Sequence, residues 1–219
     1  AGTFLAASAY LQAKGVPYEG YPVIMLAVME TPAIIIGLVL AQSARSSGTG
    51  RAPANGGMLT MLSGAARHGS IVLLLGSMLI GATAAPNALA AVMPFYQTIF
   101  LGALCLYLLE LGMVAAQRLG EFRRMGWFLT LFGVAMPLIG AACGLAVGHY
   151  WLGLAAGGTT LVAVLGASAS YIAVPPAVRM AIPEANPSFY LTLSLGITFP
   201  FNVVVGIPLY HSIAEWLAA

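Results

Sequence analysis

The sequence predicts an all-α integral membrane protein with about five full transmembrane helices plus a half helix. Two observations support this prediction. Of the residues, 60% are hydrophobic and only 6% are charged, whereas a soluble domain carries about 25% charged residues. The charged residues are also unevenly placed, and none lies in residues 69–109, 125–178 or 187–214. Each of these stretches is longer than the roughly 20 apolar residues that cross a bilayer.

The chain opens on a helix that is too short to span a membrane. Residues 1–13 cover about 20 Å as a helix, so we interpret them as the second half of an interrupted helix and expect the chain to be a piece of a longer protein. A polar turn at residues 14–20 leads into the first full span at residues 22–41. Residues 42–57 are rich in Ser, Gly and Arg and predict a flexible loop. The later spans are expected at residues 69–85, 94–117, 125–148, 152–182 and 188–216.

The basic residues indicate how these spans are oriented. Arginines cluster in the hydrophilic loop and in one later turn, at Arg45, Arg51, Arg67, Arg118, Arg123 and Arg124. The positive-inside rule makes this side cytoplasmic. We therefore expect a multi-pass protein of the plasma (inner) membrane, with its C-terminus outside. The basic residues form no stripe along the chain, so nucleic acid is not an expected partner.

The two ends of the chain share a weak internal repeat. In each, small residues precede a proline turn and a span with a proline and then a glycine: Pro32 with Gly37, and Pro200 with Gly206. The charge-based orientation gives the two spans opposite directions, as in inverted-repeat transporters. The alternative is a chance match between two helices that carry Gly and Pro. The repeat divides the chain into the end of a first repeat at 1–42, a cytoplasmic loop at 43–68 and a second five-helix repeat at 69–219.

A discontinuous helix is predicted within residues 152–182, which are too long and too interrupted for one ordinary helix. Small residues at 166–170 are followed by two consecutive prolines, the first of them Pro175, which remove backbone donors and free carbonyls. Irregular backbone at membrane depth is tolerated where it is buried in protein or lines a cavity. Ser168 and Ser170 are therefore candidate ligands for Na⁺, and the following half-helix can attract an anion. Alternatively, the serines only allow close helix packing.

Three further polar residues, Glu30, Glu110 and Asn202, lie inside predicted spans. Because ionisable residues inside a membrane are expensive and usually functional, both glutamates are candidate sites for a coupling cation or proton. Glu110 could instead reach the cytoplasmic interface, and Asn202 could join two helices by a hydrogen bond.

The histidines lie at predicted span ends, at His68, His149 and His211, and their spacing is not that of metal ligands. The sequence has no nucleophile elbow and no phosphate loop, so we do not expect an enzyme.

Three stretches carry a likeness to a known family. They are Met-Glu-Thr-Pro-Ala at 29–33, Arg-Leu-Gly-Glu-Phe-Arg-Arg at 118–124, and the small-residue and proline run at 167–179 with its continuation at 182–188. They resemble the sodium-dependent bicarbonate permease family, known best from cyanobacteria. The resemblance implies a 5+5 inverted repeat, a homotrimer, and correspondence to about the C-terminal 60% of a family member. It also implies sodium as the coupling ion, no other cofactor, and bicarbonate as the anion.

The same resemblance assigns residues to a binding site at the break. The matching positions are Gly2 and Thr3 in the first repeat and Ser168, Ala169, Ser170 and Pro175 in the second. Tyr171 stands where the cyanobacterial transporters carry an aspartate. In cyanobacteria a trimeric PII-type signalling protein docks on the cytoplasmic face, and the resemblance implies such a partner here.

We therefore carry three functional hypotheses from the sequence. The first is sodium-dependent secondary transport of a small anion, bicarbonate by resemblance, through rocking of one helix bundle against another. The second is a membrane scaffold that binds a regulator and does not transport, which Tyr171 favours. The third is a proton-coupled carrier of another carboxylate, with Glu30 or Glu110 as the proton site.

Overall fold

The architecture comes from a computed structural model and is described for residues 2–26, 28–29, 32–33, 36–37, 69–122, 126–171, 178 and 185–219. These residues form helices and turns, with no strand among them. One compact unit comprises Ala1–Pro22, Met93–Tyr171 and Ser188–Ala219, and a second comprises Val23–Val92 and Ile172–Pro187. The predicted loop at 43–68 and the candidate residues Glu30 and Pro175 lie outside the described residues.

Each described helix overlaps one of the predicted spans or the predicted opening half helix. The α-helices and π-helical segments, in chain order, are α1 Gly2–Ala13, α2 Gly69–Thr83, α3 Pro86–Phe122, α4 Gly126–Ala146, π1 Val147–Trp151, α5 Ala156–Ala167, α6 Pro187–Leu191, π2 Thr192–Thr198, α7 Phe199–Phe201, π3 Asn202–Gly206 and α8 Ile207–Ala218. Residues 21–26 are also helical.

Three of the described segments are long and apolar enough to cross a membrane: Asn87–Gln117, Gly126–Trp151 and Ser188–Ala218. The described part of the chain is thus helical and compatible with the predicted all-α membrane protein. The 5+5 repeat stays a prediction.

The start of α3 differs from the prediction. The sequence placed this span from Pro94, but the helix begins at Pro86 and keeps Pro94 in its interior. Proline is a favoured residue at the first position of a helix, where its restricted φ is helical and its missing N–H costs nothing. Leu89 then donates its backbone N–H to Ala85 over 3.1 Å and closes the first turn. An interior proline is tolerated in a membrane helix when neighbouring groups satisfy the freed backbone.

A stripe of glycines on α4 brings its backbone against α5. A Cβ at Gly140 would overlap the carbonyl group of Gly166, and a Cβ at Gly166 would overlap that of Gly140. One turn further along α4, a Cβ at Gly144 would lie 2.7 Å from the Cα of Ala163. Because Gly140 and Gly144 are four residues apart, they share one face of the helix. Small residues of this kind are how membrane helices approach closely without a hydrophobic driving force.

Two short helices, α1 and α5, run antiparallel within the first unit. Helix α5 has 12 residues, which corresponds to about 18 Å and is too short to span a bilayer. At one end, the start of α1 at Gly2 contacts the Tyr171 hydroxyl, just beyond the end of α5. At the other end, the turn after α1 rests on the start of α5, where Pro17 contacts Gly157. The start of α1, which the sequence predicts to be the second half of an interrupted helix, therefore meets the residues that directly follow the half-helix α5.

Glu19, in the turn after α1, contacts the first turn of α5 through its carboxylate. Its Oε1 accepts a hydrogen bond from the backbone N–H of Ala155 over 2.8 Å, and its carboxylate lies against the Cα of Gly158, where a Cβ would collide. A negative charge at a helix N-terminus is stabilised by the helix dipole and by the unpaired N–H groups. This contact explains why a predicted polar turn carries an acidic residue.

The last span packs against the end of the unit where α1 ends and α5 begins. His211 on α8 contacts Tyr10 near the end of α1, with ring centroids 5.7 Å apart, and Thr160 near the start of α5, at 3.4 Å. The C-terminal helix therefore ends beside the turn at 14–20 and the turn before α5. The sequence placed these three features on one side of the membrane. That this side faces outward stays a prediction.

The first testable consequence concerns the contact between α4 and α5. We expect Gly140→Ala to destabilise the protein by about 1–3 kcal/mol, because the new methyl group has no room beside the Gly166 carbonyl. Gly102→Ala is the matched control, since a Cβ at Gly102 meets nothing within 4 Å and alanine favours a helix. Thermal unfolding in detergent measures both variants. Equal melting temperatures for the two would contradict the proposed packing.

Candidate functional site

The inner end of α5 is a buried helix terminus whose carbonyl groups need partners. The hydroxyl of Ser168 donates to the Val164 carbonyl over 2.6 Å, and the backbone N–H of Ser168 donates to Leu165 over 3.3 Å. The carbonyl of Ala167, the last residue of α5, accepts a hydrogen bond from Asn202 Nδ2 over 2.8 Å. Helix α5 therefore ends at Ala167, and side chains satisfy its last carbonyl groups. The second half of the predicted discontinuous helix lies largely outside the described residues.

Asn202 is the residue that joins this helix end to the last span. It is fully buried, and its Oδ1 accepts a hydrogen bond from the Tyr210 hydroxyl over 2.9 Å. Gly206 lies between the two partners, and a Cβ there would be 2.8 Å from Asn202 Oδ1 and 2.9 Å from the Tyr210 oxygen. Asn202 therefore bonds to α5 through its amide nitrogen and to Tyr210 of its own span through its amide oxygen. The first of these bonds agrees with the interpretation that it joins two helices.

Tyr171 lies just beyond the break and reaches across to α1. Its hydroxyl contacts Gly2, where a Cβ would collide with it, and lies 3.0 Å from the Tyr107 hydroxyl on α3. Its ring packs edge-on against Phe199, with centroids 5.7 Å apart, beside the apolar cluster that includes Leu111. A phenol therefore occupies the space between the inner ends of the two half-helices.

The structure brings only some of the predicted site residues together. Gly2 and Tyr171 are in contact, and Thr3 is buried next to them in sequence. Ser170 is exposed, and Glu110 lies on an exposed face of α3. The remaining candidates, Glu30 and Pro175, fall outside the described residues, so their roles stay predictions.

The oxygen atoms at the break decide which ion it suits. Hydroxyl groups of Ser168, Tyr107 and Tyr171 and the carbonyl of Ala167 are neutral ligands. Among the described residues, no group of three or more His, Cys, Asp or Glu side chains could hold a metal ion. Neutral oxygen ligands suit a hard cation of low charge such as Na⁺. Among the described residues, these groups are neutral oxygens, and a sodium site at the break stays a prediction.

The burial of His211 was not predicted from the sequence. The prediction placed it with two other histidines at span ends, but His211 is 1% exposed and contacts α1 and α5. Its Nε2 lies 3.3 Å from Oε1 of Glu215, one turn further along α8. The spacing of four residues between a histidine and a glutamate was the available signal, because such a pair shares one helix face.

The hydrogen bonds of Asn202 give the second prediction. We expect Asn202→Leu to destabilise the protein by about 1–3 kcal/mol, because the Ala167 carbonyl and the Tyr210 hydroxyl lose their partner in a buried place. Tyr210→Phe should cost less, since it removes one bond and leaves the one to Ala167. In the double variant, the cost of Tyr210→Phe should shrink. Strictly additive changes in melting temperature would contradict a shared network.

Comparison with known proteins supplies the family. No curated protein matched the chain. The sequence model described as the Na⁺-dependent bicarbonate transporter superfamily matches residues 1–215, which is nearly the whole chain. The match covers α1, the α4 and α5 pair, the break and most of the last span. This agrees with the apolar helices and the paired half-helices described above, and the chain therefore belongs to the Na⁺-dependent bicarbonate transporter superfamily.

Proposed function

We propose that the protein is a sodium-dependent secondary transporter that moves a small anion, bicarbonate, across the membrane by alternating access. The observation that supports this most is the meeting of two antiparallel half-helices at Gly2 and Tyr171. Transporters with discontinuous helices bind substrate and coupling ion where such helices are interrupted, near the middle of the bilayer. The superfamily description supplies the ion and the anion.

The polarity of the two helices explains how one place could bind both ions. The family resemblance places the interruption of the first repeat at Gly2 and Thr3, so that the positive end of the α1 dipole would lie there and favour an anion. The C-terminal end of α5, at Ala167, carries the negative end and favours a cation. Because the two ends meet at the break, sodium beside the α5 carbonyls would neutralise part of the charge of a bicarbonate at α1. Each ion would then strengthen the binding of the other.

Two tyrosines, Tyr107 and Tyr171, line the proposed site of this chain. The hydroxyls of Tyr107 and Tyr171 lie at the start of α1 and can donate hydrogen bonds to an anion. With the two hydroxyls bonded to each other, the phenol closes the space beside Gly2. We propose that the substrate enters when Tyr171 moves and that both hydroxyls then turn to the anion.

The assembly and its surroundings follow from the family resemblance. We propose a homotrimer in the plasma membrane with the C-terminus outside, on which a PII-type signalling protein docks from the cytoplasm. The number of long apolar helices supports the membrane part of this proposal.

One alternative has a specific observation in its favour. If Tyr171 stays against Gly2, the break remains filled, and the protein would serve as a regulator-binding scaffold without transport. The proton-coupled carboxylate carrier is supported less, since Glu110 faces away from the described helices.

Uptake into proteoliposomes tests the proposal. We expect radiolabelled bicarbonate to accumulate when Na⁺ is more concentrated outside, and not when the Na⁺ gradient is collapsed. Uptake that does not depend on the Na⁺ gradient but does depend on a proton gradient would favour the carboxylate carrier. Absent uptake, with the purified chain still binding a cytoplasmic partner, would favour the scaffold.

Tyr171→Phe tests the role of the hydroxyl pair. It keeps the ring on Phe199 and removes one hydroxyl, so the fold should be retained while the Km for bicarbonate rises about fivefold to tenfold, the effect of one lost hydrogen bond. Phe189→Leu, at an exposed aromatic residue of the last span, is the control and should leave Km unchanged. An unchanged Km in Tyr171→Phe would exclude the hydroxyl from binding.

A further inference from the structure

The tryptophans of the chain are exposed and lie near the ends of segments that are long enough to cross a membrane. The chain has 3 of them, with exposed fractions of 77% for Trp127, 85% for Trp151 and 76% for Trp216. Trp127 lies in the first turn of α4, Trp151 ends π1, and Trp216 lies near the end of α8. Because tryptophan combines a large apolar ring with an N–H donor, it favours the boundary between hydrocarbon and water. The three indoles therefore indicate where that boundary lies.

The segment that carries Trp127 and Trp151 has the length needed to join the two boundaries of a bilayer. It has 26 residues, which as a helix is about 39 Å long, and the two tryptophans lie about 36 Å apart along it. The hydrocarbon core is about 30 Å thick, and the bilayer with its headgroups about 40–45 Å. A spacing between these two values, shortened slightly by the usual tilt of a helix, puts both indoles in the headgroup regions.

The side of α4 that faces away from α5 is apolar between the two tryptophans. Gly140 brings one side of the helix against α5, whereas Phe128, Phe132 and Ile139 are exposed on the other. Residues 125–178 contain no charged side chain. The order along this side, an indole, an apolar strip and a second indole, matches the order of headgroup, hydrocarbon and headgroup in a bilayer.

Two contacts fix how the last span lies against α4. Near one end, Thr198 donates its hydroxyl to the Gly133 carbonyl over 2.8 Å. Towards the other end, His211 contacts Thr160, and the residue before Thr160 packs on Gly148. The last span and α4 with π1 therefore run in the same direction.

Trp216 consequently lies at the level of Trp151. Trp216 follows Thr198 at the same interval along the chain as Trp151 follows Gly133. Each interval also contains one π-helical segment of 5 residues, π3 in the last span and π1 after α4, so the two intervals have the same length in space. Two separate helices thus carry an exposed indole at one depth, as in an aromatic belt.

We propose that Trp127 at one end, and Trp151 with Trp216 at the other, bind the two headgroup interfaces of a phospholipid bilayer and thereby set the depth of the break. Gly140, which contacts Gly166 near the end of α5, lies about 20 Å from Trp127 and about 16 Å from Trp151 along the helix. The end of α5 is thus held near the middle of the bilayer. This placement holds whether or not the chain transports an ion.

Tryptophan fluorescence of the full chain in phosphatidylcholine vesicles tests the belts. Three variants each keep one tryptophan and replace the other two by phenylalanine, and because all three side chains are exposed, the variants should fold. We expect a nitroxide attached near the lipid headgroup to quench each variant about twofold more than a nitroxide near the end of the acyl chain. Equal or stronger quenching by the deep nitroxide, or quenching by aqueous iodide alone, would overturn the placement.

Cys143 allows a separate measurement of the depth of the break. It is exposed on α4, one turn beyond Gly140, and would lie about 12 Å from the level of Trp151 towards the middle of the bilayer. In Cys105→Ala, a spin label on Cys143 should be reached by dissolved oxygen and shielded from a water-soluble nickel chelate. Trp151→Cys, in a chain with both native cysteines replaced by alanine, is the control and should show the opposite preference.

Two results of this measurement would contradict the proposal. A label on Cys143 that the nickel chelate reaches more readily than oxygen would overturn the proposed depth. Strong spin–spin broadening at Cys143 would show that a second copy of the chain, rather than lipid, covers this side of α4.

Discussion

The structure depends on a single constraint: a helix that stops inside a membrane protein must find partners for its last carbonyl groups. At the end of α5 these partners are Ser168 and Asn202, which bond to Val164 and Ala167. Asn202 in turn fixes the last span, because Tyr210 and Gly206 are arranged around its amide. Without these bonds α5 would have no reason to end where it does. The place where the two half-helices meet exists because that ending is stable.

Much of the fold could be predicted because its causes are local. Apolar runs without charge predict spans by length alone, and the small residues before Pro175 predict the interruption after α5. The predicted start of α3 was wrong, because the helix begins at Pro86 and contains Pro94. The two prolines look alike in the sequence, and only the conformation of the flanking backbone distinguishes a helix start from an interior proline. The contact of Glu19 with Ala155 was also missed, since it joins residues 136 positions apart.

The candidate site was predicted in part for the same reason. Resemblance pointed to Gly2 and Tyr171 separately, and the structure places the phenol of one against the backbone of the other. No sequence pattern gives that distance. His211 was missed because burial depends on which helices surround α8, and hydropathy does not report this. The resulting picture has a tyrosine pair, Tyr107 and Tyr171, beside the start of α1 and just after the end of α5.

The central claim is that sodium and bicarbonate bind side by side where α1 begins and α5 ends. Calorimetric titration of the purified chain tests it most directly. Coupled binding requires that a saturating concentration of Na⁺ lower the dissociation constant of bicarbonate, and that bicarbonate lower that of Na⁺ by the same factor, since linkage is reciprocal. We expect this equality in the wild-type chain. Bicarbonate affinity that is the same in Na⁺ and in choline buffers would contradict the account.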